Sequence, residues 1–134
     1  ALAYVGIKVG EKVLQVTLPP VPFAPGSAGI DDKQKKYLER IATLLKNRPR
    51  TDLQLMPVST PQDLAPGTGT EKTAALPPRG SAREKTLLAL GQQRAEALRD
   101  YLARTWSIDR NRLMISMTRL AAGAKEKPRV ELQL

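Results

Sequence analysis

Two arginines, Arg94 and Arg129, stand out among the residues that could do chemistry in this chain. Arg94 falls early in a run of helical character, and Arg129 opens the alternation Arg129-Val130-Glu131-Leu132. A guanidinium stays protonated and presents a planar fork of donors, so it suits recognition of a carboxylate rather than proton transfer. The groups that catalysis would need are missing. The chain has no Cys and no His, which removes thiol nucleophiles, His-based triads and the common zinc sites. Ser59 and Ser116 therefore have no imidazole to activate them. The carboxylates Asp31, Asp32, Glu126 and Glu131 fall in no metal-ligand spacing, and each reads as a helix cap or a surface charge. Pro66-Gly67-Thr68-Gly69-Thr70 lacks both the lysine and the strand-to-helix setting of a phosphate loop. Gly80-Ser81-Ala82, flanked by Arg79 and Arg83, could hold an anion at a helix start, but ordinary capping explains it as well. A non-enzymatic protein is expected, with no metal and no cofactor.

A few elements must position these side chains. Leu38, Ile41, Ala42 and Leu45, flanked by Tyr37 and Leu44, share one helical face between Asp31 and Pro49. Asp31 or Asp32 can cap that helix, and Asn47-Arg48-Pro49 ends it, because a residue before proline is pushed out of helical geometry. A second helix is predicted from Ser81 to about Arg104, with Leu87, Gly91, Arg94, Ala95, Leu98 and Leu102 on its inner side. Alternation marks strands at Leu53–Met56, closed by Pro57, at Leu113, Ile115 and Met117, and at Val130, Leu132 and Leu134. Upstream, Tyr4–Val9 and Lys12–Leu18 read as a hairpin around Gly10-Glu11 that ends at Pro19-Pro20, since proline cannot donate to a ladder. Residues 1–20 are thus set apart as a hairpin or the end of a preceding region, and 21–134 as the main domain. The proline- and glycine-rich stretch 57–80 is read as a long loop, more an insertion than a binding element. Strands alternating with helices in this order predict an α+β fold. It is expected to be a two-layer sandwich with both helices on one face of a mixed sheet.

At 134 residues and 41% hydrophobic composition, one domain can bury a core without metal or disulfide support. Aromatic residues are only 4% of the chain, so that core must be chiefly Leu, Val, Ile and Ala. The net charge of +9 favours anionic partners through long-range attraction, or is simply a solvated basic surface. No apolar run approaches the length of a membrane span. The chain begins at Ala1 without Met and is read as a fragment or a mature form, so targeting information can be missing.

Three segments carry a family resemblance. They are Leu90-Gly91-Gln92-Gln93-Arg94-Ala95, then Asn111-Arg112-Leu113 leading into a strand, and the final Arg129-Val130-Glu131. Their order and spacing resemble the end of the OmpA-like (OmpA/MotB) periplasmic domain, as Phe23-Ala24-Pro25-Gly26-Ser27-Ala28 resembles the entry to its first helix. The pattern from Phe23 through Arg48-Pro49 to Leu53-Gln54-Leu55 is closer still to a degenerate subgroup. That subgroup sits at the C-terminal end of AsmA-like bacterial envelope proteins.

The resemblance implies a βαβαβ(β) fold and a periplasmic interaction domain, tethered to a membrane through the parent protein, with a role in outer-membrane maintenance or lipid transport. In peptidoglycan-binding relatives an Asp takes the ammonium, and an Arg the carboxylate, of the stem-peptide diamino acid. Arg94 matches that arginine and Arg129 the final-strand arginine. Thr60 stands where the acid belongs, Leu87 replaces an Asn and Gly91 a Ser. Half of the clamp is therefore expected to be missing, with Asp63 as the possible substitute acid, and weak or no peptidoglycan binding follows. The partner is then expected to be an envelope protein or an anionic envelope polymer. The alternative is a small basic nucleic-acid-binding α/β domain, motivated by charge. The chain lacks both the aromatic, glycine-rich strand motif and the Gly-x-x-Gly clamp that such domains use.

Overall fold

The structure, a computed structural model, describes residues 17–64, 76–123 and 125–134. In chain order the elements are β1 (Thr17–Pro22), α1 (Asp32–Asn47), β2 (Leu53–Ser59), α2 (Ala82–Thr105), β3 (Leu113–Ile115), β4 (Arg119–Leu120) and β5 (Arg129–Gln133). Short 3₁₀ turns lie at Pro61–Asp63 and Arg110–Arg112. The strands form one sheet in the order β1-β5-β2-β3, with β4 also pairing β2. β5 runs antiparallel to β1 and β2, whereas β3 and β4 run parallel to β2. This is the mixed-sheet α+β architecture that the alternation of patterns predicts.

Both helices cover the same face of the sheet. Leu18 and Val21 of β1, Leu53 and Leu55 of β2, and Val130 and Leu132 of β5 form one buried cluster with the inner stripes of α1 and α2. Gln54, Glu131 and Gln133 alternate onto the opposite face. α1 starts at a reciprocal cap: Asp31 accepts the Gln34 N–H (2.8 Å), and the Gln34 side chain accepts the Asp31 N–H (2.5 Å), which satisfies two otherwise orphaned donors. α2 starts at Ser81, whose hydroxyl accepts the Glu84 N–H. Its buried residues are Leu87, Gly91, Arg94, Ala95, Leu98 and Leu102, the inner side expected from helical spacing. Leu98 is fully buried. Leu98→Ala is therefore expected to cost about 2–5 kcal/mol through lost transfer energy and the cavity left behind. A denaturant midpoint at unchanged slope measures it, and a loss below about 0.5 kcal/mol would contradict this packing.

Prolines depart from their expected roles. Pro19 and Pro20 do not end a strand; they lie within β1. Leu18 faces Leu132 and Val21 faces Val130, so β1 takes three steps where β5 takes two. A bulge absorbs the extra residue and keeps Leu18 and Val21 both facing the core. Prolines are tolerated there because β1 has no further strand beyond it among the described residues. β1 thus runs across the boundary drawn at residue 20. Pro57 likewise does not close β2, which continues to Ser59. Leu55 O accepts from Ser116 and Ser59 O from Ala121, so alternate residues of β2 turn their backbone groups toward β3 and β4. The missing N–H of Pro57 therefore faces 116–118, where the neighbouring chain leaves strand geometry. That same interruption puts Met117 in solvent, 90% exposed, rather than on the strand face that alternation predicts. The Tyr4–Val9 strand and the centre of the proline- and glycine-rich loop lie outside the described residues.

Candidate functional site

Asp63 and Arg94 meet beneath the segment that leads from β1 to α1. Asp63 ends the 3₁₀ turn that follows β2, and Arg94 projects from the inner stripe of α2. Arg94 Nη2 lies 2.5 Å from Asp63 Oδ1, and Nη1 lies 3.0 Å from Oδ2, a two-pronged pair. Both side chains are completely removed from solvent. Around them the chain makes a turn at Pro25-Gly26, with Gly26 at φ 73°, a conformation that glycine adopts without a Cβ penalty. The turn aims backbone groups inward. Gly26 N–H donates to Asp63 Oδ1 (2.8 Å), while Ala24 O and Ser27 O accept from Arg94 Nη2 (3.1 Å) and Nε (2.8 Å). Thr60 N–H donates to Asp63 Oδ2 (3.2 Å). The Phe23 ring centroid lies 5.4 Å from Arg94 Cζ, a favourable distance for a desolvated cation over an aromatic face.

Every acceptor position of Asp63 is used: each oxygen receives one guanidinium and one backbone donor. Four of the five Arg94 N–H groups are bonded as well. Buried charges are tolerated when paired and hydrogen-bonded in this way. Position 60 is Thr, and the carboxylate three residues later, Asp63, points at the arginine itself. The signal for this was Pro61, whose fixed φ favours the first position of a helical turn; that turn folds Asp63 back over the end of β2. Asp63 is accordingly not part of a spare insertion.

Arg129 lies elsewhere. It alternates with the core residue Val130 and faces the sheet surface opposite the helices, so the structure does not bring the two candidate arginines together. Its Nη1 donates to Glu126 (2.9 Å) and to Lys127 O (2.9 Å), and its Nε to Glu131 (3.1 Å). Partial burial works against its charge. The hydrogen bonds and attraction of Glu126 and Glu131 outweigh that and hold the guanidinium above its ordinary range. Arg119 joins the same group through Glu131 at 3.3 Å.

Two further positions have structural consequences that spacing alone does not expose. Arg112 Nη2 donates to Leu45 O (2.8 Å), Arg48 O (2.7 Å) and Thr51 O (2.7 Å), so a residue distant in sequence closes the C-terminal end of α1. At Gly91 an added Cβ would sit 2.3 Å from Thr118 Cγ2. The absence of a side chain there lets the 116–118 segment touch α2, where Thr118 Oγ1 donates to Leu88 O. Among the described residues no group of His, Cys, Asp and Glu could hold a metal ion, and no helix is long and apolar enough to cross a membrane.

No protein-family model matches the sequence, and no curated protein sequence matches it. Solved structures do share its architecture. The OmpA-like domain of FopA1 from Francisella tularensis subsp. tularensis SCHU S4 superposes with a TM-score of 0.65 at 18% identity, covering 99% of this chain and 78% of that one. An outer membrane protein from Borrelia burgdorferi B31 gives a TM-score of 0.57 at 19% identity, covering 99% of this chain and 95% of that one. At these identities the likeness establishes architecture rather than ligand: the chain has an OmpA-like fold.

Proposed function

We propose that this chain is a non-catalytic interaction domain of a bacterial envelope protein in which the OmpA-like ligand clamp has turned inward. The observation that carries this is the saturation of Asp63. A stem-peptide ammonium needs a free carboxylate acceptor, and Asp63 offers none while it holds Arg94, Gly26 and Thr60. Arg94 in turn has its fork occupied by an internal carboxylate, where a ligand carboxylate would have to sit. The pair then works as a staple: it ties the end of β2, the middle of the inner face of α2 and the 24–27 turn into one unit. Arg129, held by Glu126 and Glu131, is likewise a structural residue.

The parent protein on this proposal is AsmA-like. The subgroup resemblance begins at Phe23, and the same segment supplies the turn that covers Arg94. The domain would lie in the periplasm and serve as a docking or capping surface in outer-membrane maintenance or lipid transport. Pull-down on purified sacculi across a salt series tests the function. Weak binding that disappears as salt rises is expected, because only exposed basic residues would contribute and their attraction is screened. Tight, salt-resistant binding that Arg94→Ala abolishes would overturn the inward-turned site.

A further inference from the structure

The flank of the molecule where α1 overlies β1, the outermost strand among the described residues, combines an apolar groove with a row of cations. The groove has a volume of about 220 Å³ and is lined chiefly by Pro19, Pro20, Pro22 and Tyr37; its charged lining residues are Lys33 and Asp31, whose carboxylate is engaged as the α1 cap by the Gln34 N–H. Tyr37 is half-buried and donates its hydroxyl to Pro19 O; burial pushes its phenol pKa up to about 12, so it stays a neutral donor. Helical spacing places Lys33 and Arg40 on either side of Tyr37, and Lys36 one step further out. All three are exposed, and none has an ion-pair partner among the described residues.

The backbone of β1 limits how anything could bind there. Pro19, Pro20 and Pro22 have no N–H to offer, and the carbonyls of Pro19 and Pro22 already accept from Tyr37 and Gln34. Strand addition, which relies on main-chain hydrogen bonds, is therefore closed at this edge. What remains is a shallow apolar concavity beside three unpaired cations. A concave site accepts an inserted side chain and does not suit a flat bilayer surface. We infer that the β1–α1 flank is a docking site for an extended acidic peptide segment of a protein partner, with one apolar side chain seated against Tyr37 and the prolines and carboxylates facing Lys33, Lys36 and Arg40. The site is separate from the Asp63–Arg94 pair and stands whether or not that pair binds a ligand.

A heptapeptide display library selected against the whole immobilised chain tests this. Enrichment of peptides with an apolar residue flanked by Asp and Glu is expected. The best of them should perturb the backbone amides of Val21, Phe23 and Lys33 to Arg40 in an NMR titration. Arg40→Glu, a change on the solvent face that leaves packing intact, should weaken binding about tenfold, equivalent to about 1.4 kcal/mol. Tyr37→Phe should weaken it less than Tyr37→Ala, since the ring supplies the contact surface. Selection of no peptide above background would overturn the proposal. So would enriched peptides without acids, affinity unchanged by Arg40→Glu, or binding to anionic phospholipid vesicles through these residues in preference to the peptide.

Discussion

Asp63→Ala is expected to destabilise the fold by about 3–5 kcal/mol, the cost of leaving a fully buried guanidinium without its counter-charge. Total stability of a domain this size is about 5–15 kcal/mol, so the variant should fold marginally. Removing the acid also strands the Gly26 and Thr60 N–H groups that it accepts. The 24–27 turn should therefore lose hydrogen-exchange protection first. A second variant separates charge pairing from packing. Replacing both partners with apolar residues, Asp63→Leu with Arg94→Met, should recover a substantial part of the loss, since a hydrophobic pair of similar volume often matches a buried ion pair. The wild-type pair should be insensitive to salt, because ions screen buried charges weakly. A loss under about 1 kcal/mol for Asp63→Ala, within the range of exposed pairs, would contradict the burial of the pair.

Arg112→Ala should have the next largest effect, about 2–3 kcal/mol, because hydrogen bonds from a charged donor each contribute more than neutral ones. Leu45, Arg48 and Thr51 would lose a common donor at the helix end where partial negative charge accumulates. Arg112→Lys should restore only part of this, since one ammonium cannot reproduce a planar fork. Urea denaturation gives the total. Amide exchange locates it, with faster exchange expected in the last turn of α1. Unchanged exchange there would mean that Arg112 does not close that helix.

The helices were legible because their apolar residues recur at the helical period and end at recognisable caps. Leu38, Ile41, Ala42 and Leu45, and Ala95, Leu98 and Leu102, all lie in the core as that spacing requires. The strands containing proline were not legible from local rules. Whether a missing N–H matters depends on what lies across the sheet, and that is set by β5 for β1 and by the 116–118 interruption for Pro57. The Asp63–Arg94 pair joins residues separated by 31 positions. The family pattern places an acid at position 60, where this chain has Thr, and the turn after Pro61 brings the Asp63 carboxylate back onto Arg94. Arg112 was visible as part of a motif, but its acceptors, more than 60 residues upstream, carry no local signature. Gly91 stands where the resemblance would put Ser, and the approach of Thr118 supplies the reason.

The inward-turned clamp is tested most directly by the side-chain NMR signal of Arg94 Nε–Hε, followed as a diaminopimelate-type stem peptide is added to the full chain. The Nε–H is already donated to Ser27 O, so its resonance should be slow to exchange and should stay in place at millimolar peptide, while any small shifts fall on exposed lysines and arginines and fade with salt. A saturable, salt-resistant shift of the Arg94 resonance would contradict the proposal, because it would mean that the Asp63–Arg94 pair opens to admit the ligand.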